Sequence, residues 1–207
     1  MTDPDADPFA AAVRGDMRLW LERAVIGLNL CPFAKLVHVR GQIHYAVSRA
    51  TTAQTLELDL AQELRDLVAF DPNLRDTTIL MAPDCLARFL DFNDFLSVAD
   101  QTLVDMGLDG RFQIASFHPD FQFANTSASD IGNYTNRAPY PTLHMLRETS
   151  VDRAVRAFPQ AESIFERNMQ TMEQLGTAGW AALEILRTAS VGAGHGRDDP
   201  PHGKMAA

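Results

Sequence analysis

The sequence is poor in cysteine, in positive charge and in long apolar runs. Cys31 and Cys85 are its 2 cysteines, and neither belongs to a CxxC pair, so neither a disulfide framework nor a zinc knuckle is suggested. The sequence has 18 Lys and Arg residues and 27 Asp and Glu residues, which gives a net charge of -9. A sequence-independent nucleic-acid binder needs clustered basic side chains that neutralise phosphates, so nucleic acid is not an expected partner.

The longest apolar run, AVIGLNLCPFA, is far shorter than the roughly 20 residues of a membrane span. The acidic start of the chain also lacks the basic and then apolar plan of a signal peptide. We therefore expect a soluble protein of the reducing cytoplasm, with no membrane partner.

Length and composition predict one globular domain, because 46% of the 207 residues are apolar and this suffices for a sizeable core. The expected organisation is a flexible segment over 1–15, a single α/β domain over 16–188 and a disordered tail over 189–207. Asp16 is expected to cap the first helix of that domain.

Three strand patterns alternate with helical patterns along the chain. Strands are predicted over 42–48, 77–82 and 111–117, and apolar residues at helical spacing predict helices between them, around 56–68 and 93–106. Strands joined by helix-length crossovers run parallel to one another. The predicted fold is therefore α/β, with a small, mainly parallel sheet of at least three strands flanked by helices, and a helical C-terminal third.

The segment from Arg111 to Glu148 holds most of the side chains that could form a site. Its sequence, RFQIASFHPDFQFANTSASDIGNYTNRAPYPTLHMLRE, passes from a strand into a long polar loop and then into a short helix expected to begin at Pro141. Ligands of parallel α/β sheets collect beyond the carboxyl ends of the strands. We therefore predict a binding pocket within residues 116–148.

One hypothesis for this segment is a metal site. His118 and Asp120 follow the third strand, while His144 and Glu148 are four residues apart and would share one face of the expected helix. Two imidazoles with one or two carboxylates would suit zinc, iron or manganese, and the ion would polarise a substrate or activate water. The alternative is a structural role, in which His118 stabilises the end of the strand and His144 and Glu148 form hydrogen bonds with the loop backbone.

A second hypothesis is recognition of a small anion. Arginine forks bind carboxylate or phosphate, asparagine amides add neutral donors, and a histidine such as His118 or His144 would act as general acid or base without metal. The alternative is that each arginine pairs with a surface carboxylate, where such pairs contribute about 0 to 1 kcal/mol. The candidate substrate-binding residues are Asn133, Asn136, Arg137, Arg147 and Arg167.

A third hypothesis is a Cys31 nucleophile. Pro32 suits the first position of a short helix, which would place Cys31 at its N-cap. Unpaired N–H groups at that position would lower the pKa of the thiol and make it reactive. Because Leu30 and Phe33 beside it are apolar, a buried inert thiol is the alternative.

The chain also resembles a known bacterial family, classed as domain of unknown function 1415. The resemblance spans about residues 17–176 and implies a bacterial, cytoplasmic, single-domain protein, without assigning an activity or catalytic residues. The blocks that carry it are VIGLNLCPFA at 25–34, FNDFLSVAD at 92–100, FQIASFHPDFQFANT at 112–126, NYTNRAPYPTLHMLRE at 133–148 and ERN at 166–168.

The favoured expectation is an enzyme that acts on a small anionic metabolite in the 116–148 segment, with or without a divalent metal. One alternative is a non-catalytic protein that binds a small molecule or a partner subunit. The other is a thiol-dependent enzyme that uses Cys31.

Overall fold

The computed structural model of the protein describes residues 7–157 and 163–189, and most of the expected C-terminal tail lies outside them. A π-helical turn, Leu21–Ile26, extends the first helix, and a 3-10 helix, Ile131–Asn136, lies in the polar loop. The helices are α1 (Pro8–Trp20), α2 (Ala34–Val39), α3 (Ala53–Ala69), α4 (Phe89–Asp105), α5 (Glu148–Ala157) and α6 (Ile164–Ala182). The strands are β1 (Ile43–Val47), β2 (Thr77–Met81), β3 (Phe112–Phe117) and β4 (Thr142–Arg147).

The four strands form one mixed sheet in the order β1-β2-β4-β3. β1 and β2 are parallel, whereas β4 is antiparallel to both β2 and β3. The α/β class is confirmed and the three predicted strands are present, but the prediction of a mainly parallel sheet is wrong. The cause is β4, which occupies the segment expected to be a helix and inserts between β2 and β3.

Side chains that alternate between the two faces of the sheet explain why Thr142–Arg147 is a strand. Leu143 and Met145 enter the core on one face of the sheet, and His144 points to the opposite face. A helix could not divide these neighbours between two faces in this way. The prediction of a helical C-terminal third is confirmed in part, because α5 and α6 follow β4 within the described residues. α6 bends at Gly176, where φ is 62°.

Two apolar cores lie on the two faces of the sheet. Four leucines of α3 are fully buried against one face together with α4. α1 and the π-helical turn cover the other face, where Trp20 and Ile79 are buried. Side chains of adjacent strand residues therefore enter different cores, separated by the sheet.

The first helix begins earlier than expected, at Pro8, with Asp7 as its N-cap. Asp16, predicted to be a cap, instead lies in the middle of α1 and is 5% exposed. Its carboxylate accepts the Tyr140 hydroxyl at 2.6 Å and both the hydroxyl and the backbone N–H of Thr188, at 2.6 and 2.8 Å. These bonds fasten residues near the end of the described chain to α1. None of the helices in the described ranges has the length and apolar character to span a bilayer.

Candidate functional site

His118 lies at the end of β3 and is fully buried. Its ring packs 5.5 Å from that of Phe89 and 5.1 Å from that of Phe92. The Nδ1 atom accepts the Asp120 backbone N–H at 3.0 Å, so Nε2 carries the proton and donates it to the Leu86 carbonyl at 3.1 Å. Nε2 therefore links His118 to the loop that contains Leu86, and Nδ1 holds the turn at Asp120. Burial lowers the pKa of this imidazole.

His144 lies on the opposite face of the sheet from His118. It pairs in register with Ile79, and its Nε2 is 2.7 Å from Thr77 Oγ1. The Thr77 hydroxyl donates its proton to the Met145 carbonyl, so Nε2 of His144 is the donor to that oxygen. Desolvation lowers the pKa of His144 to about 4.

The predicted metal set does not assemble. The sheet separates His118 from His144, Asp120 is exposed, and Glu148 begins α5 instead of sharing a helix with His144. No three His, Cys, Asp or Glu side chains are grouped to hold a metal ion anywhere in the two described ranges. The expectation failed because it depended on a helix where the chain forms β4.

The asparagines of the polar segment stabilise the loop itself. Asn133 is fully buried, and its Oδ1 accepts the Phe123 backbone N–H and the Thr126 hydroxyl, both at 2.9 Å. Its Nδ2 donates to the Ser127 carbonyl at 2.8 Å. Asn136 donates to a carbonyl of β3 at 3.3 Å. These amides replace a regular hydrogen-bond ladder over a stretch with little secondary structure.

The arginines of the predicted anion site also bind backbone carbonyls. Arg137 donates to the carbonyls of Phe121 and Ala128, at 3.2 and 2.7 Å, and stacks on Tyr134. Arg147 donates to carbonyls at the end of α3 and just after it, and Arg167 of α6 donates to the Ser163 carbonyl at 3.3 Å among its contacts. The structure therefore uses these polar groups to fold the chain, and it does not bring them together around one point.

Cys31 is not a helix N-cap. α2 begins at Ala34, and Phe33 occupies the cap position. Backbone N–H groups of Phe33 and Ala34 favour the thiolate, but desolvation is the larger effect and raises the pKa of the Cys31 thiol. The predicted lowering of the pKa is wrong because partial burial outweighs the local dipoles.

Alkylation of Cys31 is therefore expected to be slower than that of a free thiol. At about pH 8, where a free cysteine near pKa 8.5 is partly ionised, the folded protein should react with iodoacetamide at least about 10-fold more slowly than the unfolded chain. Mass spectrometry of the alkylated peptides measures the rate, and a Cys85→Ala variant isolates Cys31. A rate above that of the unfolded chain would restore the nucleophile hypothesis.

An open cavity of about 200 Å³ lies at the opposite edge of the sheet, at the amino end of β1. It is formed where the turn before β1 meets the connection from α3 to β2. The lining residues are Gly41, Ile43, His44, Phe70, Leu74 and Arg75.

The two polar side chains of this cavity share a carboxylate on α3. Arg75 Nη2 donates to Glu63 Oε2, and Arg75 Nε donates to Thr78 Oγ1 at 2.9 Å. His44 Nε2 lies 3.7 Å from the same Glu63 oxygen. Partial burial and the positive charge of Arg75 lower the pKa of His44 to about 4, while burial raises the pKa of Glu63 despite its Arg75 partner.

Of the residues predicted for the site, Arg147 approaches this cavity. It donates to the carbonyls of Phe70 and Arg75, at 3.1 and 3.4 Å, and makes no ion pair within the described part of the chain. Sequence reasoning assigned no role to His44. A parallel alignment of the first two predicted strands could have identified it. β1 and β2 pair in parallel with Ile43 opposite Thr77, and this pairing brings together the polar residues at the start of each strand.

Comparison with known proteins identifies the family but no characterised relative. No curated protein and no solved structure matches the chain. The family model described as "Protein of unknown function (DUF1415)" matches residues 12–182, which include β1 to β4 and all of α6. The resemblance seen in the sequence blocks is thereby confirmed, and the chain belongs to the DUF1415 family.

Proposed function

We propose that this protein is an enzyme that acts on a small anionic molecule by acid–base chemistry in the cavity at the amino end of β1. The observation that carries the proposal is the pairing of a half-exposed histidine with a buried arginine in one cavity, both next to Glu63. The sequence also suggested a histidine combined with arginine, but His44 and Arg75 were not among the residues predicted for the site.

Arg75 would hold the anionic group of the substrate. Its side chain is only 8% exposed and is fixed by Glu63 and Thr78, so the guanidinium is already oriented. Its Nη1 makes no hydrogen bond to any residue that the structure describes. A fixed guanidinium with a free edge loses little side-chain entropy on binding a carboxylate.

His44 would move the proton. It is neutral near pH 7, since its pKa is about 4, and its Nδ1 has no partner among the described residues. A bound anion would oppose the charge of Arg75 and raise the pKa of His44 towards the range where a base is effective. Nδ1 could then accept a proton from the substrate and return it, while Glu63 stabilises the imidazolium that forms.

Binding without catalysis is the second candidate, because the 3.7 Å separation of His44 and Glu63 exceeds hydrogen-bond distance. In that function the same cavity holds an anion, and His44 only contributes to its surface. The two candidates differ in whether a ligand is chemically changed.

The test measures turnover and binding with a His44→Gln variant. Small carboxylates and phosphates are incubated with protein and followed by NMR, and dissociation constants are measured for every compound that binds. Loss of a general base should lower turnover about 100-fold or more while affinity changes less than about threefold. His38→Gln is the matched control, because His38 also lies beside a glutamate, Glu22, at 3.4 Å but does not line the cavity.

Equal turnover by His44→Gln and wild-type protein would refute the catalytic role of His44. Binding without turnover of any compound would favour the non-catalytic function.

A further inference from the structure

We infer that the ligand of this cavity is a monocarboxylate with a single apolar ring, of the size of benzoate. The inference rests on the proposed function only in placing the ligand in the cavity lined by His44 and Arg75. It adds the size of the ligand, its charge and the chemistry of its body.

The volume sets the size of the ligand. A closed apolar cavity of about 150 Å³ holds benzene. The cavity here is about 200 Å³, which leaves space for one ring and one small polar group. Because the cavity is open, the second ring of a larger ligand would lie outside it in water and gain little apolar contact, and a two-carbon acid would leave most of the apolar lining in contact with water.

The lining sets the chemistry of the body. Ile43, Phe70 and Leu74 supply apolar walls, and the last two are 49% and 70% exposed, so their surfaces face water when no ligand is bound. A ring laid against Phe70 and Leu74 would remove this apolar surface from water, at about 25 cal/mol for each Å². In ligand pockets generally, apolar walls contact most of the ligand, and a few polar groups bind its polar end and fix its orientation.

The charged side chains around the cavity indicate a ligand with a single anionic group. Among the described residues, Arg75 is the one arginine or lysine of the lining, and Arg147 adds a second positive charge behind the carbonyls of Phe70 and Arg75. Glu63 takes up part of this charge through its bond to Arg75. A monocarboxylate would share Arg75 with Glu63, whereas a dicarboxylate or a phosphate dianion would place a second negative charge near Glu63 and Asp66.

The geometry also positions the ring relative to the anchor. The Arg75 guanidinium carbon lies 5.3 Å from the centroid of the Phe70 ring, so anchor and aromatic wall are adjacent. Gly41 closes the lining without a side chain, and a Cβ atom built there would meet nothing within 4 Å. A flat ring can therefore approach the backbone at this point, with its carboxylate directed to Nη1 of Arg75.

Calorimetric titration of the full chain with four probes tests the inference. Benzoate should bind at least about 10-fold more tightly than benzamide, which has the same shape without charge, and more tightly than succinate or 2-naphthoate. Addition of benzoate should also shift the NMR signals of the His44 ring, because His44 lines the cavity.

A pair of leucine variants locates the binding. Leu74→Ala should weaken benzoate binding about fivefold, because the ring loses one apolar wall. Leu58→Ala is the matched control, since Leu58 is 68% exposed on α3 and does not line the cavity. Neither variant is expected to change folding, because both side chains are largely exposed in the native state.

Equal affinity for benzamide, tighter binding of succinate or an equal effect of Leu58→Ala would overturn the inference. These outcomes differ from failure of the proposed function. If benzoate binds as expected and no compound is turned over, the ligand class stands without the catalytic role. If other anions are turned over in a His44-dependent reaction and benzoate does not bind, the function stands and the ligand class is wrong.

Discussion

Replacement of Asp16 by alanine is expected to lower the free energy of unfolding by about 4 kcal/mol. The carboxylate is buried in α1 and accepts two hydroxyl donors at 2.6 Å, from Tyr140 and Thr188. Hydrogen bonds to a charged group contribute about 1.5 to 3 kcal/mol each. Alanine would also leave the fully buried Tyr140 hydroxyl without its acceptor and release the segment held by Thr188.

Urea unfolding followed by circular dichroism measures this loss. Tyr140→Phe is the matched control, because it removes one donor and keeps the carboxylate, so about 1.5 kcal/mol should be lost. The double variant should lose less than the sum of the two single effects, since the side chains interact directly. If Asp16→Ala lowers the free energy of unfolding by less than about 1 kcal/mol, the buried carboxylate does not stabilise the contact of α1 with Tyr140 and Thr188.

The second large effect is a loss of folding stability at acidic pH. Between about pH 7 and about pH 4 the wild-type protein should lose about 3 kcal/mol of stability through His144 alone. The folded pKa of His144 is lowered from its ordinary 6.5 to about 4, so between these values the unfolded chain binds more protons than the folded protein. The stabilisation is therefore complete above pH 6.5 and is lost as the pH falls towards the folded pKa. His118 and His44, whose pKa values are also lowered, act in the same direction.

Urea titrations at both pH values, on wild-type protein and a His144→Gln variant, check this expectation. Glutamine does not titrate, so the variant should lose much less stability on acidification than wild-type protein does. Leu143→Ala controls for destabilisation as such, because Leu143 is a buried neighbour in β4 without a titrating group and should lower stability equally at both pH values. An unchanged pH dependence in His144→Gln would refute the linkage.

Local patterns predicted the first three strands and α3 well. Ile43–Val47 alternates with period two, Thr77–Met81 is a continuous buried run, and the leucines of α3 repeat at helical spacing. The leucine spacing of α3 arises because one side of the helix packs against a core, whereas the continuous run of β2 arises because both faces of that strand are covered. The same reasoning failed for β4, because a six-residue run carrying two apolar core residues fits either a helix end or a short strand. Pairing with β2 and β3, which are distant in sequence, decided between them.

The site was predicted at the wrong place for a related reason. Polar side chains between Asn133 and Arg137 look available in a sequence, but a long loop must satisfy its own backbone groups, and these side chains do so. The histidine and arginine that share a cavity are separated by a whole helix in the sequence. Their convergence depends on the parallel pairing of β1 with β2 and on Glu63 from α3.

The sequence by itself determined the α/β class, three of the four strands, the main helices, the family and the segment in which polar residues are most concentrated. Tertiary structure alone decided that the sheet is mixed, that His118 and His144 lie on opposite faces, that Asp16 is buried and that His44 meets Arg75. Periodicity reports which side of an element is buried, because burial repeats with the geometry of that element. It does not report which distant elements become neighbours, and a binding site is made by such neighbours.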